Sequence, residues 1–362
     1  MNFDEFKEEL KREVGKELYE KGLGECELET KTVNKMNTSY EALTIKPESA
    51  DVGISLNVDE LYQKYDNGSS FATLVKQAAE MAASRLEDAP NFDINSFYDY
   101  DKMKQTLSME IVSAERNAEL LESVPHKDIE DMAVVYRFIV SNSGGEVGSV
   151  LVTNQMLDNY GISAAQLHED AIKNAPEIKP LVIQGMGEVL ANRMGVDDLE
   201  ALGLNIPPEQ EQMFVATVEG NVHGAGVIAY EDFMEKASER VGGSFFILPS
   251  SIHEILIIPD NGQFDLGTLE NMVREVNATT VDPVDKLTDS VYHYDSEEKI
   301  FELGEKFVIR QQAKENIDVG KRDAGEKKSL LGELKAAKAE ADKAPIKDSL
   351  DKGVKDKGGE AI

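Results

Sequence analysis

The segment Pro249-Ser250-Ser251-Ile252-His253-Glu254 places hydroxyls, an imidazole and a carboxylate side by side at the start of a β-rich run. A histidine beside a serine is the raw material of nucleophilic catalysis, because the imidazole can take the hydroxyl proton while a carboxylate orients the ring. On an extended strand Ser251, His253, Ile255 and Ile257 point one way and Ile252, Glu254, Leu256 and Ile258 the other. Both faces turn apolar further along, so the expected strand is an inner one with its polar residues near the rim of a cleft. Three readings stay open for Ser250, Ser251, His253 and Glu254: a structural polar turn, a binding site, or catalysis. Two features weigh against the last. Ser251 and His253 lie only two positions apart, and the chain has no Gly-x-Ser-x-Gly nucleophile elbow. No residue is therefore assigned a catalytic role.

Metal chemistry finds little to build on. The histidines are His126, His168, His223, His253 and His293, and Cys26 is the lone cysteine. No His-x-x-x-His or Cys-x-x-Cys pair occurs, so no metal and no cofactor is expected. His168-Glu169-Asp170 reads as a solvated helix face. The run from Asn91 through Asp93 and Asn95 begins like a calcium loop but has Ser96 where the turn glycine belongs and Lys102 where the bidentate Glu belongs. Gly144-Gly145-Glu-Val-Gly148 lacks the Lys-Ser/Thr of a phosphate loop, and Gly220, Gly224 and Gly226 lie between two expected strands, so both read as turns.

The elements that must position these groups read as α+β, with mixed or antiparallel sheets and packed helices in two lobes. Phe3, Phe6, Leu10, Val14 and Leu18 share one helix face. A meander follows at Cys26–Thr32, Tyr40–Ile45 and Val52–Val58, then helices at 59–65 and 70–86, completing a first lobe over residues 1–103. The second lobe, 104–307, opens with a strand in which Leu107, Met109 and Ile111 alternate with Ser108 and Glu110. It continues with a hairpin around Gly144-Gly145, a helix from Ser163 stopping before Pro176, a polar loop at 195–212, and a second hairpin of Phe214–Val218 with Gly226–Tyr230. A helix at 231–241, strands at 244–248 and 252–258 and a helix at 266–276 follow. Residues 308–362 carry no aromatic side chain and read as a charged tail, disordered or weakly helical.

Charge is the most unusual bulk property: 38 Lys+Arg against 69 Asp+Glu give a net −31. Residues 311–362 hold 12 and 11 of these, which leaves 26 bases against 58 acids on residues 1–310. An acidic body repels nucleic acid and anionic membrane, so direct nucleic-acid binding is disfavoured and a basic protein partner is the better fit. The start Met1-Asn2-Phe3-Asp4-Glu5 shows no signal-peptide pattern, and no window approaches the ~18 apolar residues of a membrane span, so a cytoplasmic location is expected. A single cysteine gives no disulfide framework.

Four stretches carry a family resemblance: Leu120-Leu-Glu-Ser-Val-Pro-His126, Val152-Thr-Asn-Gln-Met-Leu157, Ile247-Leu-Pro-Ser-Ser-Ile-His-Glu254 and Met272-Val-Arg-Glu-Val-Asn-Ala278. With the helix-and-meander start they resemble an uncharacterised bacterial family, domain of unknown function 5688, over about residues 1–300. A more distant similarity is to a second uncharacterised family, domain of unknown function 1444. Neither resemblance implies an activity or catalytic residues. The tail piece Ser329-Leu-Leu-Gly-Glu-Leu-Lys-Ala-Ala-Lys338 is similar to tails on proteins of conjugative mobile elements. The expected function is that of a cytoplasmic accessory or protein-interaction protein without catalysis, associated with a mobile element. The alternative is a hydrolase-like enzyme using a polar cleft around His253.

Overall fold

The first helix, α1 (Phe3–Glu20), starts where Asn2 accepts the Glu5 N–H and the Glu5 carboxylate accepts the Asn2 N–H, a reciprocal cap that satisfies two otherwise free donors. Its buried stripe is Phe6, Leu10, Val14 and Leu18, the spacing that the sequence predicts. The computed structural model describes residues 1–48, 53–87, 94–141, 147–195, 207 and 210–322. Met1–Val308 form one compact unit. Among the described residues the strands form three antiparallel sheets, which with the helices make the fold α+β.

The first sheet is the expected meander of β1 (Cys26–Lys35), β2 (Thr38–Pro47) and β3 (Ile54–Asn57). With α1, α2 (Val58–Asp66) and α3 (Phe71–Glu87) it encloses a hydrophobic cluster drawn from α1, β2, β3 and the Ala-rich face of α3. Ser70 caps α3 by accepting the Thr73 N–H. The turn between β1 and β2 leaves this cluster: Met36 is buried in the main core, and Asn37, at φ 61°, donates from its side chain to the carbonyls of Val284 and Lys286 and exchanges bonds with Asn117.

A short α4 (Tyr100–Met103) leads into the second sheet. There β6 (Met132–Ser141) is flanked on one edge by β4 (Leu107–Ser113) and on the other by β5 (His126–Ile129) and β7 (Val147–Leu151) in succession. All seven residues of β4 are buried, Ser108 and Glu110 included, so the alternation with solvent expected there is absent. Both faces of the strand are covered, and the chain must neutralise Glu110 from within. Between β4 and β5 lies α5 (Ala118–Ser123). After β7 come α6 (Asn154–Tyr160) and α7 (Ala164–Ile178), which packs on β4. Ser163 caps α7 as expected, yet the helix runs past Pro176. Proline there removes only one bond in the last turn, and Lys179 N–H still reaches the Ala175 carbonyl.

The third sheet has the order β13-β12-β10-β11-β9-β8. Its strands are β8 (Leu181–Gly185), β9 (Phe214–Val218), β10 (Phe245–Leu248), β11 (Ile255–Pro259), β12 (Tyr292–Asp295) and β13 (Ile300–Leu303). Around it lie α8 (Met186–Met194), α9 (Phe233–Val241), α10 (Leu266–Thr279) and α11 (Gly304–Arg322). Strand β11 is interior, as its apolar run predicts, but it begins at Ile255, so Ile252, His253 and Glu254 precede the strand. The expected partner strand Gly226–Tyr230 is instead a buried 3-10 segment, Gly224–Ala229, laid against β4 and β9. Glycine permits the approach: a Cβ on Gly224 would stand 2.0 Å from Thr217 Oγ1, and one on Gly226 2.5 Å from the Met109 carbonyl. Helix α11 carries regular structure into the segment assigned to the tail; its Gly304–Ala313 stretch combines an apolar start with strong helix formers. The Gly144-Gly145 turn, Asn91, Asp93, most of the 195–212 loop and residues 323–362 lie outside the described residues.

Ile255 and Ile257 face the main core, whereas Leu256 and Ile258 face a separate cluster with Leu269 and Val273 of α10. Ile257→Ala is therefore expected to cost about 2–5 kcal/mol. Leu256→Ala, at a partly exposed position, should cost less but more than the ~0.5 kcal/mol of a surface change. Denaturant unfolding of the two variants checks this, and a neutral Leu256→Ala would mean that α10 does not cover that face.

Candidate functional site

The residues Ser250 to Glu254 form a loop whose polar atoms are bound by their surroundings. Ser250 is buried, and its carbonyl accepts the Leu287 N–H. Ser251 forms an isolated bridge with Lys286, and its Oγ accepts the His253 N–H at 3.1 Å. The His253 carbonyl accepts from Thr217 Oγ1 at 2.8 Å and from the Gly224 N–H at 3.0 Å. Its Nδ1 accepts the His223 N–H at 3.2 Å, which places the ring proton on Nε2, 3.4 Å from Asp285 Oδ1. Both ring nitrogens are thus engaged, and neither is directed to a serine. Glu254 lines a polar cleft of about 180 Å³ together with Gln184, Asn192, Arg193, Thr217 and Asn221. Of the four residues singled out from the sequence, it alone does so.

Beneath this loop lies a cluster that the strand pattern concealed. Glu110 is 2% exposed. Its Oε2 accepts from Arg137 Nε at 2.7 Å, Lys179 Nζ lies 3.8 Å from its Oε1, and His223 Nδ1 lies 3.4 Å from Oε2. These groups come from β4, β6, the end of α7 and the turn after β9, so one carboxylate gathers four parts of the chain. Arg137 also donates to Ser149 Oγ, and Lys179 to the Val222 carbonyl. His223 holds φ 56°, a left-handed conformation unusual for a histidine, and its ring meets that of His253 edge to face at 5.4 Å. Burial lowers the Lys179 pKa against the opposing pull of Glu110. Burial likewise lowers that of His223, aided by Lys179, Arg137 and His253 and opposed by Glu110. Only an expectation that Glu110 pointed inward would have found the cluster in the sequence, and its alternation with Met109 and Ile111 argued the reverse.

The other histidines sit elsewhere. His168 is not on a solvated face: its Nδ1 bonds Tyr136 Oη and its Nε2 Lys127 Nζ, both at 2.9 Å. His293 is buried against Asp260, with the Phe307 ring stacked on it at 3.5 Å. His126 Nδ1 bonds the Val124 carbonyl. Among the described residues no group of three His, Cys, Asp or Glu could hold a metal, and no helix is long and apolar enough to cross a membrane.

Removing the Glu110 charge leaves Arg137 and Lys179 without their buried counter-ion, so Glu110→Gln is expected to destabilise by about 3–5 kcal/mol in urea unfolding. Titration gives a second expectation. The folded state holds the His223 proton less tightly than the unfolded chain, whose imidazole titrates near 6.5, so below that value the unfolded state binds more protons. Stability should accordingly fall as pH drops from about 7.5 to 5.5. His168, lowered by burial and Lys127, acts in the same sense. Urea midpoints across this range should fall less steeply in His223→Gln than in the parent; equal slopes would contradict the assignment.

No curated protein and no solved structure matches this chain. A family model does match, over residues 3–296, and it is the first of the two families that the sequence resembles. The match spans the three sheets up to Ser296, including the 250–254 loop and the Glu110 cluster. The chain belongs to the family of unknown function DUF5688.

Proposed function

We propose that the chain is a cytoplasmic, non-catalytic accessory protein that works through protein contact. The observation that carries this reading is the engagement of His253: its Nδ1 takes a backbone N–H, its Nε2 faces Asp285, and the Ser251 hydroxyl holds backbone. A general base needs a ring nitrogen within reach of the proton it removes, and none is left free here. The 58 acids against 26 bases of residues 1–310 favour a basic partner and disfavour nucleic acid. The likeness of the tail to those of mobile-element proteins supports an association with such an element.

A second reading, a hydrolase-like enzyme, is favoured by one observation. Two histidines stand in contact, each beside its own carboxylate, and the His223 backbone is strained, as backbone at functional sites often is.

Assays with ester, phosphoester and peptide substrates separate the two. The accessory reading predicts that parent, Ser251→Ala and His253→Ala are equally inert, and that affinity capture from native cells returns the same basic partner reproducibly, with retention falling as salt rises. Turnover abolished by His253→Ala would establish the enzyme instead, and clean captures at low salt would remove the accessory reading.

A further inference from the structure

The lobe built on the first sheet has a cavity of about 370 Å³ that the 250–254 loop does not touch. Its walls come from β2, β3, α2 and α3, with Lys35 from the end of β1 and Val284 at the rim. Three cations line it, Lys35, Lys64 and Arg85, in a body where acids outnumber bases more than two to one. Among the described residues none of the three is held by an ion pair, although carboxylates abound. Lys35 Nζ lies 5.3 Å from the centre of the Tyr40 ring. The one carboxylate on the wall, Glu60, accepts from Asn57 Nδ2 at 3.0 Å.

Cations that converge without counter-ions repel one another, and the repulsion is relieved when an anion sits between them. Three positive charges against one negative leave an excess of two, the charge of a phosphate monoester dianion. Lysine and arginine are the side chains that recognise phosphate, the one as a point charge and the other as a planar fork. The rest of the wall suits a less polar body: Leu56, Leu61 and Met81 are apolar, Met81 is 40% exposed, and Tyr40 presents a ring. The volume falls within the ~300–1,000 Å³ of small-molecule sites.

We propose that this cavity binds a phosphorylated small molecule of mononucleotide size, its phosphate held by Lys64 and Arg85 and its planar body lying on the apolar wall. The site is independent of the cluster around Glu110 and of any partner that the acidic surface engages.

Calorimetric titration of the full chain at low salt with AMP, GMP, CMP and UMP, and with adenosine and inorganic phosphate as half-ligands, tests it. At least one mononucleotide should bind, with adenosine and inorganic phosphate each at least tenfold weaker. Lys64→Ala/Arg85→Ala should weaken binding at least tenfold with an unchanged thermal melt, as both side chains are exposed, and Lys64→Arg should retain it. The proposal is overturned if no mononucleotide binds, if adenosine or phosphate binds as well as the nucleotide, or if either Lys64→Ala or Arg85→Ala alone, made should the double variant misfold, leaves affinity unchanged.

Discussion

Taking a carboxylate out of water costs several kcal/mol unless opposite charge meets it inside the protein. Glu110 lies on a strand with both faces covered, and Arg137, Lys179 and His223 are the groups that meet it. Each arrives on a different element, and each constrains its own: Arg137 fixes the register of β6 against β4, Lys179 ends α7, and His223 requires a left-handed turn after β9. The 3-10 segment that follows must then pass close to β4 and β9, which glycine at 224 and 226 allows. The His223 N–H is left aimed at His253 Nδ1, and the loop that bears the Ser-His-Glu group is thereby drawn onto the second and third sheets. Reactive-looking residues thus become the outer layer of a neutralised buried charge.

The same loop is tied from another side. Asp285, which faces His253, lies between the Val284 and Lys286 carbonyls that the Asn37 side chain grips. The β1–β2 turn is therefore two residues removed from the histidine cluster through one backbone segment. Substitutions at Asn37 and at His253 act on a shared element, and residues in such a chain of contacts do not contribute independently.

Where the pattern is local and periodic, the sequence is legible. The α1 stripe, the meander and the inner position of β11 all follow from the spacing of apolar residues, because one buried face or two dictates that spacing. The misread stretches are those in which tertiary contacts override a local signal. Ser108 and Glu110 look solvent-facing only because alternation cannot distinguish water from an internal counter-ion. The glycines at 224 and 226 look like a hairpin turn because close backbone approach demands the same residue type as a tight turn. Ser251 and His253 look like strand residues, yet their backbone is bound by Thr217, Gly224 and Lys286, partners far away in sequence. The polar character of the site was thus visible, whereas the groups that bind it were not.

The central claim is that His253 is held in place by its neighbours and is not poised to react. It is tested most directly by the imidazole nitrogen shifts of His253 in a long-range proton–nitrogen NMR correlation at about pH 7, where an unperturbed ring is mostly neutral. The account predicts a single neutral tautomer, with Nε2 protonated toward Asp285 and Nδ1 bare beneath the His223 N–H. A ring protonated at Nδ1, or one averaging rapidly between tautomers, would contradict it.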